Sequence, residues 1–265
     1  MTSASASELL AAVERSPRAA AAHDRQAWVR LFAHDGAVED PVGSRPHTGP
    51  TEIGRFYDTF IGPRDIVFHR DLDVARGTSV IRDLTLEVAM GPAVTMMIPA
   101  VLRYDLRQVD DEWKIATLRA YWELPAMMRQ FLQNGLAALP VGVQLSRGLI
   151  RNQRLRGTAG FVTGFRRAGA RQKTVVDTFV NAVGRGDTFG ALKALSADAT
   201  ITFGDDEAAD LAELTARCPG ALTTKLIAAG RAVAASVVST SHRGVLFAEA
   251  ARRDSGIARV RYFPQ

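Results

Sequence analysis

Residues 30–57 read Arg30-Leu-Phe-Ala-His-Asp-Gly-Ala-Val-Glu-Asp40-Pro-Val-Gly-Ser-Arg-Pro-His-Thr-Gly-Pro-Thr-Glu-Ile-Gly-Arg-Phe-Tyr57. A short β-type run ends at Asp40 and Pro41, and a Gly/Ser/Pro loop leads to a helix opening near Thr51. A carboxylate at that strand end projects into whatever space the helix covers. Upstream, residues 8–33 carry Leu9, Leu10, Val13, Trp28, Leu31 and Phe32 at spacings of three and four. That spacing predicts helix in two segments, broken or bent near Pro17 and Asp24. Residues 51–60 predict a second helix, with Thr51 suited to cap it. Strands are predicted at 67–72, 79–90, 94–106 and 114–122, separated by Arg76-Gly77, Gly91-Pro92 and Asp110-Asp111-Glu112. Helices followed by a long antiparallel meander is the α+β order. A curved sheet wrapped against helices makes a pocket suited to apolar small molecules.

The stretch closely resembles the Val-Glu-Asp-Pro signature of ketosteroid isomerase-like and SnoaL-like proteins, within the nuclear transport factor 2-like (NTF2-like) superfamily of cone-shaped domains. The resemblance runs over about residues 20–125. It implies that Asp40 is a base that shuttles a proton beside a carbonyl, with no cofactor. Such chemistry also needs donors that stabilise the enolate oxygen, and the family supplies them from a tyrosine in the first helix and an aspartate in the third strand. Here Ser16, 24 positions before Asp40, stands at the tyrosine position, and Ala100, in Ile98-Pro99-Ala100-Val101-Leu102-Arg103-Tyr104, at the aspartate position. Both donors are therefore lost, and the resemblance argues against ordinary steroid isomerisation. Losing even one donor typically costs ~10²–10³ in rate. Tyr57 matches a tyrosine that buttresses the donor network, and Trp122, in Ala120-Tyr121-Trp122, a tryptophan that lines the ligand cavity. Phe32, Phe56, Met97, Leu118 and Met127 are candidate lining residues that read equally well as plain core. Asp83 reads either as a second carboxylate near Asp40, suited to hydrolysis of an epoxide-like substrate, or as part of a solvated sheet face with Thr85 and Glu87.

At 265 residues the chain has room for two domains. Residues 180–203 echo the register of 20–38, and strands are predicted at 223–229, 232–239, 244–251 and 257–263. Residues 172–265 thus read as a shortened second NTF2-like domain after a first at 8–125. The second copy has Phe203-Gly204-Asp205 where the first has Glu39-Asp40-Pro41, and Asp205 and Asp206 come too late to serve as a base. Between the two lies a connector, 126–171. No acidic residue occurs between Glu123 and Asp177, whereas the same stretch holds Arg129, Arg147, Arg151, Arg154, Arg156, Arg166, Arg167, Arg171 and Lys173. A basic amphipathic segment either lies on an anionic membrane surface or packs as a helical connector with its Arg side chains in solvent.

The net charge of +5 gives no reason to expect specific nucleic acid binding. Cys218 is the single cysteine, so no intrachain disulfide forms, and a reducing, cytoplasmic setting is expected. His23, His34, His47, His69 and His242 show no metal-ligand spacing, and no phosphate loop or nucleophilic triad is present. The expectations are an apolar small-molecule ligand, no metal, and either homodimerisation or pairing of the two domains. Function stays open between a cofactor-free isomerase or hydrolase using Asp40, a non-catalytic binder of a steroid- or polyketide-like ligand, and a membrane-surface or scaffold protein acting through the connector.

Overall fold

The first helix, α1 (Ala6–Ala21), opens on a reciprocal cap in which Ser5 accepts from the Glu8 amide and Glu8 accepts from the Ser5 amide. It continues through Pro17, where a break or a bend was expected. The buried stripe of Leu9, Val13, Ser16 and Ala20 continues on both sides of the proline, and that packing outweighs the ~3 kcal/mol an interior proline costs. Asp24 does end the segment. Its side chain accepts from the Ala27 amide and starts α2 (Arg25–Arg30). Leu31 and Phe32, read as helical, leave the helix instead. The Leu31 carbonyl accepts from the Ile115 amide, and β1 (Phe32–Glu39) begins there.

The computed structural model describes residues 5–89, 94–133, 169–251 and 256–265, in two units, Met1–Arg166 and Arg167–Gln265. In the first unit, β2 (His47–Thr48) leads to α3 (Gly49–Phe56), which widens into a π turn at Tyr57–Ile61 closed by the Gly62 amide on the Tyr57 carbonyl. Thr51 does not cap α3; Glu52 accepts from the Thr48 amide instead. The meander is β3 (Asp65–Arg76), β4 (Ser79–Ala89), β5 (Thr95–Val109) and β6 (Glu112–Tyr121), followed by α4 (Leu124–Gln133). The sheet order is β2-β1-β6-β5-β4-β3, with β1 parallel to β6 and the other pairs antiparallel. Arg82, buried on β4, donates to Asp73 on β3 and to Glu14 on α1, tying the helix to the sheet.

The second unit repeats this order with α5 (Ala170–Gly184), α6 (Thr188–Ala194), β7 (Leu195–Phe203), β8 (Glu207–Ala209), α7 (Leu211–Arg217) and the meander β9 (Leu222–Ala229), β10 (Ala232–Val238), β11 (Arg243–Ala250) and β12 (Ile257–Pro264). Its sheet order, β8-β7-β12-β11-β10-β9, is the same, with β7 parallel to β12. Asp187 caps α6 through the Gly190 amide as Asp24 caps α2. Both units are α+β, each with its own hydrophobic core between helices and sheet. Most of the Arg-rich connector, 134–168, lies outside the described residues. Among the described residues no helix is long and apolar enough to cross a membrane.

Candidate functional site

In a strand, alternate residues share a face. On β5 the sequence Met96, Ile98, Ala100, Leu102, Tyr104 faces α1 and α3, and register pairs it with Leu86 and Val88 of β4 and Leu118 and Ala120 of β6. The helices do not fill the space above this face. A cavity of about 140 Å³ remains, measured as the space open to the centre of a water molecule. At roughly 10–15 Å³ per water on that measure, it holds on the order of ten waters, a ligand-sized volume. Its walls are mainly apolar, and four of its lining residues can donate or accept strongly: Ser16, Asp40, Arg64 and Tyr104.

Asp40 follows the last residue of β1, and its peptide to Pro41 is cis. The loop is held where the Val42 amide meets the Ala120 carbonyl, at 2.8 Å. One hydrogen bond reaches the Asp40 carboxylate among the described residues, from the Trp122 indole N–H to Oδ1 at 2.5 Å. Burial pushes its pKa up to about 6, and the Trp122 bond offsets only part of that effect. Asp40 is thus a carboxylate that ionises near neutrality beside an apolar cavity.

Ser16, on α1, accepts from the Trp28 indole at 3.2 Å and is hydrogen-bonded to the Tyr104 hydroxyl. Tyr104 is 1% exposed; burial raises its pKa to about 12, against the opposing pull of the Arg82 charge and the Ser16 bond. Register sets Val38, Leu118 and Tyr104 in one row, two residues before Asp40. At ~4.8 Å per strand and ~3.3 Å per residue, the Asp40 and Tyr104 backbones are on the order of 12 Å apart, a span that two inward side chains close around one ring system. Arg64, after the π turn, lines the cavity at the other end of the wall, since its neighbour Asp65 pairs with Ala89 and Ala89 with Thr95.

Phe56, Leu118, Trp122 and Met127 line the cavity with Ser16 and Asp40. The other sequence candidates do not. Phe32 is buried in the core against Trp28, ring centroids 4.9 Å apart. Tyr57 packs on the same indole at 5.5 Å, and its buried hydroxyl has no hydrogen-bond partner among the described residues. Ala100 has the right parity, but its methyl group is too short to reach the cavity surface. Met97 has the wrong parity and is 46% exposed, while Met96 takes the wall position. Both readings of Asp83 fail: it is fully buried, so no solvated face holds it, and it pairs with Val101 on the sheet face away from the cavity. Missed from sequence were Tyr104, which period-two counting along β5 would have found, and Arg64, for which the sequence gives no signal.

In the second unit a void of about 10 Å³ is walled by Phe179, Tyr262 and neighbours. Gly204 follows β7 where Asp40 follows β1, and Asp205 is paired with Arg261 at 3.5 Å. Among the described residues no group of three or more His, Cys, Asp or Glu side chains is placed to hold a metal.

Residues 8–130 match the family model of the nuclear transport factor 2 (NTF2) domain. The first unit is an NTF2 domain. Solved structures similar to the chain include a Mycobacterium tuberculosis protein in complex with estradiol-17beta-hemisuccinate, at 25% identity and a TM-score of 0.41, covering 44% of this chain and 95% of that one. A Δ5-3-ketosteroid isomerase from Mycobacterium sp. is 29% identical, with a TM-score of 0.41 and coverage of 45% and 96%. An epoxide hydrolase of the LEH-like type from M. tuberculosis is 20% identical, with a TM-score of 0.42 and coverage of 51% and 97%. The NTF2 domain and the second unit share one sheet order, so the chain carries the NTF2-like α+β architecture twice.

Proposed function

We propose that the NTF2 domain binds an apolar molecule of steroid or polyketide type and moves a proton on it, with Asp40 as the base. The observation that carries this reading is a single carboxylate, desolvated and held by Trp122, lining an apolar cavity of ligand size. Asp40 takes a proton from a carbon beside a carbonyl, the electron pair moves onto the carbonyl oxygen, and the protonated Asp40 returns the proton at the conjugated position. In this reading Tyr104, which lines the cavity with Ser16, donates to that oxygen, an office that neither Ser16 nor Ala100 fills alone. The test is Δ5-3-ketosteroid isomerisation followed by absorbance of the conjugated product, for wild type, Asp40→Asn and Tyr104→Phe. Turnover that Asp40→Asn abolishes supports the proposal.

A second reading, a binder without chemistry, is favoured by the replacement of both expected donors by Ser16 and Ala100. Trp28 and Trp122 both line the cavity, so steroid binding is read as quenching of their fluorescence. Quenching without turnover selects the binder; neither signal refutes both readings.

A further inference from the structure

Arg64 is a half-buried guanidinium in an apolar wall, and among the described residues no carboxylate meets it. Of its five N–H donors one is engaged among the described residues, by the Thr59 carbonyl at 2.6 Å. Its Cζ lies 6.0 Å from the centroid of the Phe60 ring, another wall residue. The carboxylate next in sequence, Asp65, is turned to His23 at 3.1 Å and is largely exposed. Asp40 is bonded to Trp122. Neighbouring sequence brings no alternative: the β4–β5 connection reads Met90-Gly91-Pro92-Ala93, and no acidic residue occurs between Glu123 and Asp177. Burial without a counter-charge lowers the Arg64 pKa to about 10.

Buried cations are ordinarily paired, and a guanidinium is shaped for two parallel bonds to a carboxylate. We infer that the cavity takes an acidic amphiphile, whose carboxylate pairs with Arg64 while its apolar body lies along β5 toward Tyr104. The inference rests on reading the cavity as a ligand site, and it narrows the ligand class. The eight steps from Met96 to Tyr104 span about 26 Å at ~3.3 Å each, long enough for a fused-ring body with a short acidic side chain. A neutral steroid would leave the Arg64 donors inside the wall without an acceptor.

The test uses the full chain, with 5β-cholan-24-oic acid and its methyl ester as probes of one skeleton. Tryptophan quenching is titrated at pH 8, where the acid is ionised, for wild type, Arg64→Gln and Arg64→Lys. The acid is expected to bind wild type about tenfold or more tighter than the ester, the ratio one charge-assisted hydrogen bond supplies. Arg64→Gln is expected to collapse that ratio by weakening acid binding, and a circular dichroism spectrum matching wild type shows that the variant is folded. Arg64→Lys keeps part of the ratio. Equal binding of acid and ester to wild type, or a ratio that survives Arg64→Gln, overturns the inference while leaving the cavity as a ligand site. Binding of neither probe overturns both.

Discussion

Replacing Asp40 by Asn is expected to stabilise the first unit, and by an amount that depends on pH. The folded carboxyl has its pKa raised from 3.8 to about 6. Between those values the folded chain holds a proton that the unfolded chain releases, so the stability supplied by the protonated form is lost as pH rises through this window. A shift of about two units corresponds to roughly 3 kcal/mol of cost above pH 7, falling to about 1 kcal/mol at pH 4.5. Asparagine keeps the oxygen that accepts from Trp122 but carries no charge to desolvate. Urea unfolding followed by tryptophan fluorescence isolates the right unit, because Trp28, Trp113 and Trp122 are the chain's three tryptophans and all lie in it. The stability difference between Asp40→Asn and wild type should widen by about 2 kcal/mol from pH 4.5 to 8.5. A difference that stays flat with pH, or a variant less stable than wild type above pH 7, would refute the reasoning that Asp40 is held at a cost for its chemistry.

Activity should rise with pH through about 6 and then level, since the base works ionised; Trp122→Phe removes the bond that lowers this pKa and should move the rising limb to higher pH in a rate profile. Tyr104→Phe should cut kcat by ~10²–10³ with little change in KM, and a loss confined to KM would assign Tyr104 to binding alone. Cys218 is 2% exposed with its thiol pKa pushed up to about 11, so a thiol reagent should label it only as the second unit unfolds, and rapid labelling of the native protein would contradict the burial.

The α+β order, the meander in each unit and Asp40 at a strand end were readable because each rests on local pattern: period-two alternation, turn residues, and a proline after the carboxylate. Helix limits were less so. Pro17 sits inside α1 because a buried stripe outweighs one lost hydrogen bond, and Phe32 joins β1 because Ile115, far along the chain, is there to pair with it. The site divided along the same line. Trp122 and Leu118 came from motif and register, whereas Tyr57 and Phe32 were drawn into the core by Trp28, a choice among buried aromatics that sequence spacing does not make. Asp83 shows the limit of reading alternation by polarity: the parity was right, but Asp83 itself is buried while Met97, farther along the same face, is exposed. Arg64 is informative because no carboxylate meets it among the described residues, which is visible only in three dimensions.

Two copies of one topology sit in a single chain, one around the hollow that Asp40 lines and one around the small void at Phe179 and Tyr262. The voids of about 140 and 10 Å³ differ enough that, at ~24 cal/mol per Å³, the hollow copy forgoes about 3 kcal/mol that the other keeps. A molecule that fills the hollow restores that free energy to one copy alone. In a melting experiment with candidate ligands, the first unit is therefore the indicator and the second its built-in reference: a true ligand separates the two transitions, and a nonspecific additive moves them together.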